Sequence, residues 1–366
     1  MRPHWGNCLT HSDAEVASFI AAYFSRQDRR CLLVAGAGFD PRATLVARQL
    51  ERVLGDRLEA VLIREERDDA PASLRSAADA NEAALRSAVP RSEVVRVRVF
   101  ADDNAPVGGA RVTQALRALA LPDGTTDLVV DLSAISIGIG FPATRLLLEK
   151  CEAARDVNFH LMIASNPELD ARILGEPADR AMSVRGFSGR LPPDDKPVAR
   201  LWLPHLASGS KAFLAKIQAS TDFVYKTCPI LPFPARNPRR ADDLIAEFSS
   251  QLRDEWRVGA RDLIYASERN PLDTFRTIST LKERYERTVE GVYVPQLVLS
   301  PLGSKVMAAG AMMAAIEHGL TVQYVETVRY EYDDGALTSA QAPDTIVHVW
   351  LHGPVYAGYV PTPGRF

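Results

Sequence analysis

The residues best suited to chemistry in this sequence are cations standing where a helix begins. Ser300-Pro301-Leu302-Gly303-Ser304-Lys305 runs from an apolar stretch into Val306-Met307-Ala308-Ala309-Gly310-Ala311. Gly303 permits a close backbone approach, Ser304 is a helix-capping type, and Lys305 falls in the first helical turn. A cation there opposes the helix dipole unless an anion shares the site, so the segment predicts a phosphate or carboxylate ligand. The competing reading is a solvated loop with a routine cap. The segment is not a Walker A loop, which requires GxxxxGK[ST].

Two further segments carry the same conflict. Asp40-Pro41-Arg42 and Asn237-Pro238-Arg239-Arg240 each join a capping side chain to a proline suited to the first helical position. Helix initiation accounts for Asp40, Asn237 and both prolines. It does not account for Arg42, Arg239 and Arg240, whose planar forks suit bidentate phosphate recognition. The alternative is an ion pair, for the second segment with Asp242 or Asp243. Glu268-Arg269-Asn270-Pro271 supplies two side chains, Glu268 and Asn270, that suit a ribose or a base; the alternative is a turn ended by Pro271. Asp131 and Ser133 offer similar polar groups, and Ser300 is the counterpart of Ser133.

For catalysis the sequence offers less. Neither Ser133 nor Ser300 sits in a GxSxG elbow. Gly36-Ala37-Gly38 begins a GxGxxG pattern without its third glycine, and no HExxH or CxxC spacing marks a metal site. His205, His318, His348 and His352 are too scattered for sequence to join them.

The elements that must position these residues alternate. Cys31–Ala35, Leu58–Ile63, Val94–Phe100, Asp127–Leu132 and Asn158–Ala164 read as strands; 43–54, 112–119 and 142–154 read as helices between them. A Pro/Asp/Arg-rich stretch over 166–197 reads as a linker or surface excursion. Beyond it, strands near 201–203, 228–231, 262–265, 296–299, 320–326 and 345–351 alternate with helices over 210–219, 241–252, 274–289 and 304–318. Such alternation predicts parallel strands joined by right-handed crossovers. The expected fold is α/β, two Rossmann-like halves with mostly parallel sheets, spanning 1–165 and 198–366.

Internal matches suggest that the halves arose by duplication. Asp40-Pro41-Arg42 aligns with Asn237-Pro238-Arg239 at the same separation of 197 positions as Cys31 and Cys228. Glu66-Arg67-Asp68 answers to Glu268-Arg269-Asn270, and Ser133 to Ser300. All six segments fall at predicted carboxyl ends of strands, where open α/β sheets bind ligands. The alternative is that any two such halves share this grammar.

Composition narrows the classes. The 366 residues are 46% hydrophobic and 24% charged, enough for two cores. A net charge of −3 argues against general nucleic-acid binding. No run approaches a membrane span, the amino terminus lacks a signal-peptide core, and the four cysteines are dispersed, so a cytoplasmic protein without a disulfide framework is expected.

The run Ser300–Met307 resembles the glycine, serine-or-threonine, lysine signature of CARF-type nucleotide-sensing domains. The resemblance implies that this run and the loops 38–42 and 235–240 contact a nucleotide-like ligand between two Rossmann-like domains. It also implies an effector protein partner, a role in prokaryotic defence and room for a homo-oligomer. In the first half, Ile135-Ser136-Ile137-Gly138 replaces the signature, so the two sites would be unequal. The reading is a two-lobed sensor of a nucleotide or other phosphorylated signal, with Asp40, Arg42, Ser133, Arg239, Arg240, Glu268, Asn270, Ser300, Gly303, Ser304 and Lys305 as ligand contacts and no cofactor. The alternative is a nucleotide- or nucleoside-processing hydrolase or phosphodiesterase using Glu268, Asp131 or Ser300.

Overall fold

The computed structural model describes residues 5–154, 156–191, 197–221, 224–332 and 345–356. The chain divides into two units: one holds the described residues up to Asn166 together with 345–356, the other Pro167–Tyr332.

The first unit opens with β1 (Leu9–Ser12) and α1 (Ala14–Phe19), which widens into a π-type turn at Ile20–Phe24. There follow β2 (Cys31–Gly36), α2 (Leu45–Leu54), β3 (Leu58–Glu66), α3 (Ala72–Ala88), β4 (Ser92–Arg98), α4 (Gly108–Ala118), β5 (Asp127–Asp131), α5 (Ile137–Ala154) and β6 (Asn158–Ser165). Strands β2 to β6 pair in parallel, in the order β4-β3-β2-β5-β6. All residues of β2, β5 and β6 are buried, as strands covered on both faces must be. Val16, Phe24, Leu33, Leu50, Leu62 and Leu85 meet in the core on one face.

The second unit holds α6 (Pro167–Asp170), β7 (Ile173–Ser188), β8 (Val198–Pro204), α7 (Lys211–Ser220), β9 (Lys226–Thr227), β10 (Ile230–Pro232), α8 (Arg240–Glu247), β11 (Ile264–Ala266), α9 (Pro271–Val289), β12 (Val294–Ser300), α10 (Lys305–His318) and β13 (Thr321–Tyr332). The last strand, β14 (Thr345–His352), returns to the first sheet, antiparallel to both β6 and β1.

Two expected boundaries therefore move. Of the stretch 166–197 read as a linker, the described part contains α6 and the sixteen-residue β7, which pairs antiparallel with β13. Its polar, Gly-containing sequence reads as loop because an edge strand buries little of itself. The carboxyl half does not run from 198 to the end, since β14 completes the first unit.

Both sheets share one strand order. In the second, β7-β13-β12-β8 continues to β9, and β9 and β10 lie in line beside β8. Lys226 and Thr227 pair with Leu201 and Trp202, and Ile230 bridges His205. Pro229 lacks an N–H and interrupts this strand. With β11 beside β10, the order β11-β10-β8-β12-β13-β7 answers to β4-β3-β2-β5-β6-β14. This correspondence undoes two of the three internal sequence matches. The loop of Asp40 follows the central strand β2, whereas the loop of Asn237 follows β10, which occupies the place of β3. Likewise Glu66 ends β3, but Glu268 follows β11, in the place of β4. Only Ser133 and Ser300 stand at equivalent ends, so the matches do not establish a duplication.

Helix α3 was not legible, because its buried stripe is only Leu74, Ala78 and Leu85. Helix α10 is buried on nearly every side from Val306 to Ile316. Within it Gly310 meets α9, where a Cβ would lie 2.8 Å from Thr274 Cβ and against the Pro271 carbonyl. Among the described residues, no helix is long and apolar enough to cross a membrane.

Candidate functional site

In each sheet the chain leaves the central strand in one direction and returns on the other side. The crevice at this reversal is where such folds hold ligands. In the first unit it lies between β2 and β5, and the protein fills it. A Cβ on Gly36 would stand 2.6 Å from the Ala134 carbonyl oxygen and 2.8 Å from Ile135 Cγ1. Asp131 Oδ1 accepts from the Ser133 backbone N–H at 2.9 Å and from its hydroxyl, and Ser133 Oγ accepts from Ala164 N–H at 2.7 Å. Both side chains are closed off, at 1% and 0% exposure. Arg42, expected to reach a phosphate, is 2% exposed and spends Nε and Nη2 on the two oxygens of Asp40. Asn81 of α3 fixes the same loop by donating to the carbonyls of Gly38 and Asp40 at 2.8 and 2.9 Å. Asp40, Arg42 and Ser133 thus hold the first unit's loops together.

In the second unit the reversal lies between β8 and β12. Ser300 ends β12 with its hydroxyl accepting from Trp202 Nε1 at 2.9 Å, and it is fully buried. It is an anchor inside the sheet. Ser304 caps α10, accepting from Met307 N–H at 3.4 Å, and its hydroxyl reaches the Glu268 carbonyl at 3.3 Å. The cap therefore ties the start of α10 to the loop after β11, and Lys305 begins the helix beside it. Arg240, the first residue of α8, donates to Ser208 Oγ at 3.1 Å and so joins the loops after β10 and β8. Glu268 is 5% exposed. Burial raises its carboxyl above the ordinary value, against the Arg240 charge and the Arg236 backbone N–H, which pull it down.

Sequence left two residues of this crevice unassigned, Ser208 and His205. His205 directly follows β8, its backbone N–H bound to the Ser300 carbonyl at 2.9 Å, and it is fully buried. A Cβ on Gly303 would lie 3.6 Å from His205 Cβ, ordinary contact rather than a clash. Among the described residues neither ring nitrogen of His205 has a hydrogen-bond partner. Burial pushes the imidazole down to about 3, so it is neutral, with one N–H to donate and one bare nitrogen to accept. A buried polar group of this kind calls for a partner. The signal was its place: the first residue after a buried strand of the parallel sheet.

The remaining predicted contacts act on helix starts. Asn270 Oδ1 accepts from Leu272 N–H at 3.0 Å and caps α9; Asn237 Oδ1 accepts from Arg239 N–H at 3.0 Å. Arg239 is exposed at the start of α8, neighbouring Arg240 in sequence. The structure thus gathers His205, Ser208, Arg240, Glu268, Gly303, Ser304 and Lys305 on the loops at the carboxyl edge of the second sheet. Cations, a helix N-terminus and an imidazole donor are groups able to bind an anion. Among the described residues no group of histidine, cysteine or acidic side chains is arranged to hold a metal ion.

No protein-family model and no curated protein matches the chain. Among solved structures it is similar to a human methyltransferase 10 domain containing protein, at 11% identity and a TM-score of 0.23, over 46% of this chain and 71% of that one. It is also similar to a putative dehydrogenase from Burkholderia cenocepacia with bound NADP, at 11% identity and a TM-score of 0.22, over 74% of this chain and 91% of that one. Likeness this slight carries no argument about ligand or reaction, and the fold rests on the strand order itself.

Proposed function

We propose that the second unit binds a nucleotide or another phosphorylated small molecule at the carboxyl edge of its sheet, and that the protein acts as a sensor of that ligand. The observation that carries this reading is the neutral, fully buried His205 with both ring nitrogens unpartnered beside Gly303, at the point where the strand order reverses. In this reading Lys305 and the amides at the start of α10 meet a phosphate, His205 donates to it, and Arg240 and Glu268 define the rim. The likeness of Ser300–Met307 to CARF-type domains is part of the same proposal, as is an effector partner that receives the signal.

Binding is favoured over hydrolysis by the state of the candidate nucleophiles. Ser300 accepts from Trp202, and Asp131 serves Ser133, both out of solvent. Among the described residues of the crevice, Glu268 alone has a raised carboxyl, and none of them is a nucleophile that it positions.

The test is thermal unfolding of the full chain with a panel of mono-, di- and cyclic oligonucleotides. Ligand at a hundred times its Kd stabilises the native state by about 2.7 kcal/mol. Lys305→Ala is expected to remove the stabilisation, measured against the melting of the ligand-free variant itself. If no nucleotide shifts the transition, or the variant responds like the parent, the proposal fails.

A further inference from the structure

Four neighbouring strands of the first sheet, β1, β14, β6 and β5, each contribute one polar side chain to a continuous ladder. His11 Nδ1 lies 3.0 Å from His348 Nδ1, His348 Nε2 lies 2.9 Å from His160 Nδ1, and His160 Nε2 lies 3.0 Å from Asp127 Oδ1. Asp127, His160 and His348 are fully buried, and His11 is half-buried. Phe19 of α1 stacks on His348 and His11 with ring centroids 4.2 and 4.6 Å apart, which keeps water from the inner members.

The ladder has one consistent arrangement of protons when all three imidazoles are neutral. The Tyr23 hydroxyl donates to Asp127 Oδ1 at 2.8 Å, and Thr126 Oγ1 lies 2.6 Å from Oδ2. Burial alone would raise this carboxyl, but the bonds from His160, Thr126 and Tyr23 leave it below the ordinary carboxylate value. An ionised Asp127 only accepts, so His160 carries its proton on Nε2 and accepts at Nδ1. His348 must then donate from Nε2 and accept at Nδ1, and His11 must donate from Nδ1. Every inner nitrogen is matched, and the bare nitrogen left over is His11 Nε2, on the only ladder member with solvent exposure.

We propose that this ladder is a proton-binding site, which takes one proton from solvent at His11 and holds it as an imidazolium at His160 against Asp127. The proton adds to His11 Nε2; the Nδ1 proton of His11 crosses to His348 Nδ1; the Nε2 proton of His348 crosses to His160 Nδ1. One proton has entered, Asp127 remains ionised, and only N–H bonds have formed or broken. The loaded ladder is again fully matched, with every donor direction between the rings reversed. A second proton would place two imidazoliums with ring centroids 5.1 Å apart and set N–H against N–H. Burial and the neighbouring histidines accordingly hold His348 well below the ordinary histidine value.

The charged and titratable groups facing the ladder come from every element around it. Burial holds His11 below the ordinary histidine value, against the charge of Glu15 of α1, which favours its protonation. Tyr23 lies in the π-type turn; Arg29 approaches Asp127 at 3.9 Å, and Arg26 acts on Tyr23. Burial, and after it the Asp127 charge, pushes the thiols of Cys31 in β2 and Cys151 in α5 up and keeps them neutral. The second unit's crevice plays no part, so the two proposals stand or fall separately.

Long-range proton–nitrogen correlation spectra of the full chain, labelled at histidine, decide the matter. At pH 8 the expected tautomers are Nε2–H for His160, Nε2–H for His348 and Nδ1–H for His11. On acidification His348 and His11 exchange tautomer in the same one-proton transition that makes His160 cationic. In His11→Phe, which keeps a ring against Phe19, the loaded ladder leaves the His348 Nδ1–H without an acceptor. The transition then moves down by about one pH unit or more. Three independent titrations, or a His348 that keeps its tautomer, would overturn the proposal, and the unsubstituted protein alone supplies that result if the variant does not fold.

Discussion

Arg42 folds back on Asp40, with Nε donating to Oδ1 at 2.9 Å and Nη2 to Oδ2 at 2.7 Å, while the Arg42 backbone N–H also meets Oδ1 at 2.9 Å. Aspartate is here both the cap of a helical turn and the counter-ion of a nearly buried guanidinium. Asp40→Ala therefore leaves a buried cation without its carboxylate, at a cost of about 3–5 kcal/mol. Arg42→Met removes the cation and leaves the cap, so it costs less. Urea unfolding of both variants measures this, and the reverse order would contradict the assignment. Nucleotide-induced stabilisation is expected to survive in Arg42→Met, because the proposed phosphate site lies in the other unit.

His205 presents stability and binding with opposite requirements. An apolar ring of similar size in its place removes two unsatisfied nitrogens from the interior. His205→Phe is expected to raise the free protein's stability by about 1–2 kcal/mol while abolishing the response to nucleotide. Denaturant titration with and without ligand reads both effects. A destabilised variant that still binds would show that the imidazole serves the fold.

The alternation of strands and helices was legible because β2, β5, β6, β8 and β12 are short buried runs bounded by polar turns. What sequence could not supply was lateral order. The gap-free match of Asp40-Pro41-Arg42 with Asn237-Pro238-Arg239 compares loops that look alike because both start helices, although their strands occupy different places in the two sheets. The cations at helix starts were found by their conflict with the dipole, yet that conflict has two resolutions. Lys305 stands at a crevice with an unpartnered imidazole, whereas Arg42 is satisfied by the residue two before it. The histidine ladder was invisible because His11, His160 and His348 are brought together only by β14 returning across more than 150 residues to the first sheet.

Gly310 sits where α10 crosses α9. Alanine is the better helix former by up to about 1 kcal/mol, which alone would favour Gly310→Ala. The added methyl, however, would press on the Pro271 carbonyl and stand 2.8 Å from Thr274 Cβ. Neither partner is the end of a flexible chain, and overpacking of this kind costs about 1–3 kcal/mol. Packing should win, and Gly310→Ala should melt at a lower temperature than the parent. An unchanged or higher melting temperature would mean that the two helices part at the crossing to take the methyl without loss.

The pH dependence of stability follows from His205 and His348, each held below the ordinary histidine value by burial. Between the folded and unfolded values the unfolded chain binds the proton and the folded one does not, so stability rises with pH. The contribution of His205 is fully present above about pH 6.5 and is lost as pH falls toward its folded value of about 3. Each such group gives a slope of about 1.4 kcal/mol per pH unit within its window. Hydrogen exchange at the amides of β8 and β12, followed from pH 7 to 5, should report falling protection free energy in the second unit. His205→Phe should flatten that dependence there and leave the amides of β5 and β6 as they were. Equal slopes in parent and variant would mean that the imidazole already finds a proton inside the folded protein, and with it a partner that would remove the case for a ligand.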